Sequence, residues 1–201
     1  MPAALGLVRM FRCRTATPRH VRFVSVSERF ADPPPDPWTE LDRRSCDEVW
    51  REFDRRFGFR AGVTSDSWPA IREPSPSLTF DLSVIKDGPE RGAAYDAINA
   101  EALRSFVWNL PGVRELLALD WQHPAYRFRP EAQALSWRPE WKVPVYPDGD
   151  YYAFLTADFS EGTFGHPWEQ TLAVIGERLC ASLGASLAVW LPIKRRNGTS
   201  V

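Results

Sequence analysis

Prolines divide this chain into short segments, and that limits which folds are open to it. The sequence has 18 prolines in 201 residues. Proline fixes the φ angle and lacks a backbone N–H, so we expect many fixed turns and few long helices. Apolar residues recur at helical spacing in three stretches, 45–58, 90–110 and 177–190, and each of these is predicted to form a helix.

Several short segments between these helices are predicted to form strands, because alternation of apolar and polar residues or a run of apolar residues is typical of strands. The clearest case is Leu78–Val84, where every second residue is apolar. The other predicted strands are 116–121, 126–128, 142–146, 150–156, 163–164 and 171–175. Pro147-Asp148-Gly149 indicates a hairpin turn. Because such short connections cannot contain crossover helices, we predict an α+β domain in two layers, with a mostly antiparallel sheet and helices packed on one face.

The first 27 residues differ from the rest of the chain in charge. They carry five arginines and no acid, a charge of +5, while the remainder carries 20 basic and 26 acidic residues, a charge of −6. An organelle transit peptide is one interpretation; a flexible arm or an extension from a misplaced start codon is favoured over it. With the prolines that follow, we predict a basic, Pro-rich leader at 1–37, one domain at 38–192 and a flexible, solvated tail at 193–201.

Composition and motifs exclude several classes of function. The net charge of −1 argues against a nucleic-acid or membrane-surface partner, and the sequence has no apolar run of 18 residues. It contains no CxxC pair and no HxH, HxxxH or HExxH spacing, so we expect no metal. It also lacks a dinucleotide fingerprint or phosphate loop, so we expect no cofactor. Its three cysteines are odd in number and far apart, which favours a reduced, cytoplasmic setting.

Polar and aromatic residues concentrate in three segments that could carry chemistry, 120–124, 149–158 and 162–170. Two of them contain a His-Pro dipeptide, and the proline biases the preceding histidine toward an extended backbone. We expect neighbouring strands to bring the two dipeptides to one rim of the sheet. The candidate catalytic residues are His123, His166, Asp120, Asp150 and Glu169, and the candidate ligand-binding residues are Trp121, Tyr152, Asp158 and Trp168.

Two functions fit these candidates. Binding of a small ligand or of a protein partner is favoured slightly, because no spacing of nucleophile, base and orienting acid is legible. The alternative is an acid–base enzyme acting on a small molecule, in which His123 or His166 transfers a proton beside an Asp or Glu partner. Whether the protein is an enzyme stays open at this point.

Each candidate also has a purely structural interpretation. Asp148-Gly149-Asp150 and Asp158–Gly162 are ordinary turn sequences. Either histidine can be a residue at the edge of the core that bonds to backbone carbonyls, and the tryptophans can be core residues.

Several longer motifs resemble a bacterial family of unknown function, domain-of-unknown-function family 2716, which occurs mainly in actinomycetes. The motifs are WREFDRRFGF from Trp50, the Trp68-Pro69 segment, DWQHPAYRF from Asp120, PVYPDGDYYAFLTADF from Pro144 and GTFGHPWEQTLAVIG from Gly162. The resemblance covers roughly residues 38–190. It supports the predicted domain boundaries, and the family has no assigned activity that it could imply for this chain.

Overall fold

The computed structural model describes residues 36–136 and 139–201. In these residues the chain forms one antiparallel sheet of nine strands, in the order β1-β4-β3-β5-β6-β7-β2-β8-β9. The strands are β1 Trp38–Glu40, β2 Ser77–Asp81, β3 Leu116–Asp120, β4 Tyr126–Phe128, β5 Tyr152–Leu155, β6 Gly162–His166, β7 Thr171–Ile175, β8 Ile193–Arg196 and β9 Thr199–Ser200. The α+β class and the antiparallel sheet are therefore confirmed. The predicted leader falls almost wholly outside the described residues.

Both faces of the sheet are buried, which corrects the prediction that helices cover one face in two layers. Leu116 packs in a core cluster that includes residues of α2 (Pro89–Asn109), whereas its neighbour Leu117 packs in a second cluster that includes residues of α1 (Arg43–Phe57). Neighbouring residues of a strand point to opposite faces, so we name these the α2 face and the α1 face. The sequence prediction failed because the central strands are buried on both sides and do not alternate.

The helices begin and end close to the predicted positions. Gly58 ends α1 with a φ of 60°, a conformation that glycine adopts without strain. The N-cap is Asp42, three positions before the predicted start of the helix at residue 45, and it accepts a hydrogen bond from the Ser45 N–H at 2.9 Å. The remaining helical elements are a 3₁₀ turn Ser65–Ser67, α3 Pro130–Leu135, α4 Glu177–Leu179, a π-helical turn Cys180–Gly184, and α5 Ala185–Leu187.

The predicted hairpin around Pro147-Asp148-Gly149 is wrong. Residues 142–146 are irregular, and β5 pairs with β3 and β6 instead. The backbone N–H groups of Val145 and Tyr146 donate to the buried Asn99 Oδ1 at 2.7 and 3.2 Å. A side chain of α2 thus takes the place of a neighbouring strand, which no local pattern could show.

The C-terminal residues also differ from the prediction. Residues 193–200, expected to belong to a flexible tail, form β8 and β9, and β8 pairs with β2. Asn197 and Gly198 adopt positive φ angles of 53° and 76° in the turn between them. Asn-Gly is a strong signal for a two-residue hairpin turn, but the flanking strands, IKRR and TS, are too short and polar to show an alternating apolar pattern. Arg195 is buried in β8.

Among the described residues, none of the helices combines the length and the apolar character that crossing a membrane requires.

Candidate functional site

Part of each of the three predicted site segments lies at the same end of the sheet. Asp120 at the end of β3 is in register with Tyr152 at the start of β5, and Tyr152 is in register with Gly165 in β6. His166 is the next residue of β6, and His123 follows β3 by three positions. We call this end of the sheet, marked by Asp120, Tyr152 and Gly165, the rim.

On the α2 face of the rim, three predicted residues come together. The turn after β3 passes through Gln122 with a positive φ of 67° and brings His123 back over Asp120. The His123 Nδ1 lies 3.0 Å from Asp120 Oδ1 and 3.5 Å from Asp150 Oδ2. The three residues offer ligand atoms that all lie within 4.8 Å of one another. We call Asp120, His123 and Asp150 the acidic rim site.

The two carboxylates of the acidic rim site are shielded, while the imidazole is open to solvent. The side chains of Asp120 and Asp150 are 15% and 16% exposed, against 59% for His123. Burial raises the pKa of both carboxyls, and hydrogen bonds from His123 to Asp120 and from the Tyr151 N–H to Asp150 oppose that rise. The hydrogen bond with Asp120 raises the pKa of His123. A nearby positive charge would stabilise both carboxylates.

His166 lies at the rim but on the opposite face. It is 1% exposed, its Nδ1 accepts a hydrogen bond from the Glu169 N–H at 3.0 Å, and its Nε2 lies 3.5 Å from Tyr151 Oη. Burial lowers the pKa of His166 to about 4, so the ring is neutral near pH 7. Both ring nitrogens face groups of the protein itself, and the structure does not bring His123 and His166 into one site.

Glu169 belongs to a set of buried ionic groups on the α1 face. Arg195 donates to its two carboxylate oxygens at 2.5 and 2.9 Å and to Glu73 Oε1 at 2.7 Å. Burial by itself would raise the pKa of Glu169, but the hydrogen bonds and charge of Arg195 outweigh it and the pKa is lowered. We call Glu73, Glu169 and Arg195 the buried charge cluster. It joins the loop before β2, the turn before β7 and strand β8.

The predicted ligand-binding residues divide among three places. Trp121 and Trp168 pack on Tyr151 on the α1 face, with ring centroids 5.7 and 4.9 Å away. Tyr152 is half-buried on the α2 face, and its hydroxyl donates to the Asp148 carbonyl at 3.1 Å. Asp158 lies beyond the other end of β5, where it accepts hydrogen bonds from the hydroxyls of Thr156 and Ser160. In the structure Asp158 therefore acts as a turn residue.

Sequence reasoning missed Glu73 and Arg195 altogether. Arg195 was assigned to a solvated tail, although the Asn-Gly dipeptide after it pointed to a hairpin. Nothing local distinguishes Glu73 from an exposed loop residue. Its partner Arg195 is 122 positions away, and only the completed sheet brings the two side chains together.

Comparison with known proteins places the chain in a family. Residues 40–180 match the family described as "Protein of unknown function (DUF2716)". The chain belongs to this family. The DUF2716 match includes the whole acidic rim site and ends before Arg195, and an actinomycete source stays a prediction.

A curated bacterial relative agrees with this assignment. The chain is 30% identical over 151 residues to the "Uncharacterized protein YxiI" of Bacillus subtilis (strain 168), which corresponds to 73% of this chain and 91% of that protein. No solved structure matches the chain. Neither the DUF2716 description nor that of the relative states an activity, so the function has to be argued from the site.

Proposed function

We propose that this protein is a binding protein whose acidic rim site receives a positively charged group from a partner protein. The observation that carries the proposal is that two shielded carboxylates converge on a single ring nitrogen. The Nδ1 atom of His123 carries at most one hydrogen, and Asp120, at 3.0 Å, is the better placed to accept it. Asp150, at 3.5 Å, is left with negative charge that no proton of that nitrogen neutralises.

The openness of the site favours a macromolecular partner over an enclosed small molecule. Small-molecule pockets usually bury most of the ligand in a concave space of several hundred Å³. The imidazole of His123 is instead 59% exposed, and the adjoining Gln122 and Pro124 are exposed as well. A guanidinium or ammonium group on a protruding side chain of a partner would reach both carboxylates from solvent.

The charge of the chain also favours a positively charged partner protein. Residues after position 27 carry an excess of six negative charges. Such an excess attracts a basic partner over a distance and speeds association without determining specificity. The specific contact would come from the acidic rim site itself.

Replacing Asp150 with Asn is expected to weaken binding of a hexa-arginine peptide about tenfold, because the variant loses the unneutralised carboxylate. Asp148→Asn is the matched control: it removes the same unit of charge from an exposed residue two positions away. Isothermal titration in the presence of a chelator measures both dissociation constants. Equal effects of the two substitutions would reduce the binding to general electrostatics and overturn the proposal.

Acid–base catalysis by His123 is the second candidate, and one contact favours it. Asp120 engages Nδ1, which fixes the orientation of the ring and leaves proton transfer to Nε2. The buried His166 has no part in this version. The catalytic version needs a substrate that fills the open side of the site.

The contact between Asp120 and His123 can be tested without a ligand. The Asp120 hydrogen bond raises the pKa of His123 above 6.5, so Asp120→Asn is expected to lower it. An NMR titration of the imidazole resonances reports the pKa directly, with Asp148→Asn as the control that keeps the hydrogen bond. If Asp120→Asn left the pKa of His123 unchanged, the carboxylate would not be orienting the ring.

A further inference from the structure

We propose that the acidic rim site binds a divalent transition-metal ion through His123 Nδ1 and one carboxylate oxygen each from Asp120 and Asp150. The inference rests on the proposed function, because the same residues receive positive charge in both. Here the cation is a metal ion rather than a side chain of a partner protein. The sequence argument against a metal considered only cysteine pairs and histidine–histidine spacings. Asp150 lies 27 positions after His123 and joins it only in the folded sheet, so those spacings could not detect this combination.

The separations among the donor atoms suit one ion. Nitrogen and oxygen ligands lie about 2.0–2.2 Å from a transition-metal ion, and tetrahedral or octahedral angles then separate neighbouring ligands by roughly 3.0–3.5 Å. The distances from His123 Nδ1 to Asp120 Oδ1 and Asp150 Oδ2 are 3.0 and 3.5 Å. The ligand atoms of the three residues all lie within 4.8 Å of one another, so an ion could take up its position among them once the two carboxylates rotate toward it.

A metal ion also resolves the excess of charge better than a proton does. A proton on Nδ1 forms one short hydrogen bond, and it reaches Asp120 before Asp150. A divalent ion bound to the ring nitrogen accepts electron pairs from both carboxylates at once. With a neutral imidazole, the two carboxylates carry two negative charges, and the two positive charges of the ion balance them.

The backbone holds the donor atoms in place before any ion arrives. The Tyr151 N–H donates to Asp150 Oδ1 at 2.7 Å and leaves Oδ2 directed to His123. The His123 N–H donates to the Asp120 carbonyl at 3.3 Å and closes the turn that carries the ring. Contacts of this kind orient ligands for a metal, and they lower the entropy lost on binding.

The donor set selects the class of ion. One imidazole and two carboxylates suit Zn²⁺, Mn²⁺ and similar ions, and the imidazole disfavours Ca²⁺ and Mg²⁺, which prefer oxygen ligands alone. Three protein ligands leave at least one coordination position for water or for a group of a partner. This arrangement is typical of a metal that meets a ligand at an open surface rather than of a closed structural site.

Isothermal titration of Zn²⁺ into the full chain, prepared without an affinity tag and freed of metal by a chelator, tests the inference. We expect Zn²⁺ to bind at the acidic rim site. The affinity should fall at least tenfold in Asp120→Asn and in Asp150→Asn and stay unchanged in Asp148→Asn. Circular dichroism checks that each variant is folded. Co²⁺ gives a second readout, because its visible absorption changes on coordination by these ligands.

The outcomes separate the two proposals. If Zn²⁺ binds all variants equally or does not bind, the metal inference is overturned, while the chelator-treated peptide experiment with Asp150→Asn can still support the proposed function. If Zn²⁺ binding requires Asp150 but the peptide does not distinguish Asp150→Asn from Asp148→Asn, the metal site stands and capture of an organic cation falls.

Discussion

Arg195→Met is expected to lower the free energy of unfolding by about 3–5 kcal/mol, the usual cost of leaving a buried charge without its partner. Arg195 is 8% exposed and holds the carboxylates of both Glu73 and Glu169. Methionine replaces the stem of the side chain and removes only its charged end. Lys194 lies 3.4 Å from Glu169 and offsets part of the loss there, whereas Glu73 depends on Arg195.

Urea unfolding followed by circular dichroism measures this loss, and two further variants sharpen it. Arg196→Met removes the same charge from the next, exposed residue of β8 and is expected to change stability little. A triple variant, Arg195→Met with Glu73→Gln and Glu169→Gln, removes all three charges of the cluster and should recover part of the stability. A loss in Arg195→Met no greater than in Arg196→Met would contradict the buried ion pairs.

Mild acid is expected to destabilise the fold through His166, by up to about 3 kcal/mol between pH 6.5 and pH 4. The pKa of His166 is lowered by burial from 6.5 to about 4. Between these two values the unfolded chain binds a proton that the folded chain does not, so stability rises with pH across this window. The contribution is complete above pH 6.5 and is lost progressively as the pH falls toward 4.

His166→Asn isolates this effect from the other titrating groups. The Asn oxygen can accept the Glu169 N–H in place of Nδ1, and asparagine does not titrate. Free energies of unfolding at pH 7 and pH 5 are compared in the two proteins, so that contributions from His123 and the carboxylates cancel. The parent protein should lose more stability than the variant on acidification. Equal slopes would show that His166 titrates normally and is accessible to solvent.

Local patterns predicted the elements of this fold better than their arrangement. The end of α1 at Gly58 and the strand β7 lie where the sequence indicates, because glycine conformation and apolar patterning act over a few residues. The segment 142–146 was predicted to be a strand and is not one, because its backbone bonds to Asn99, more than 40 positions away. Long-range hydrogen bonds of this type override local preference.

The candidate site divides in the same way. The pairing of His123 with Asp120 spans three residues and is a property of one turn. The position of Asp150 beside His123 depends on the register of β3 with β5. The two histidines lie at the same end of the sheet, as the prediction required. They lie on opposite faces of it, however, and so they do not form one site. His166 follows Gly165, which is in register with Tyr152 and Asp120, and successive residues of a strand point to opposite sides.

By itself, the sequence determined the class of the domain, the positions of most helices and strands, and which polar segments stand at strand ends. These depend on periodicity, turn chemistry and capping, which operate between near neighbours. Only the tertiary structure decided that helices cover both faces and that Arg195 is buried between two glutamates. It also decided that Asp150 completes a site with His123 while His166 faces away. Each of these depends on strand order and register, which are determined by the packing of the whole core rather than by any single segment.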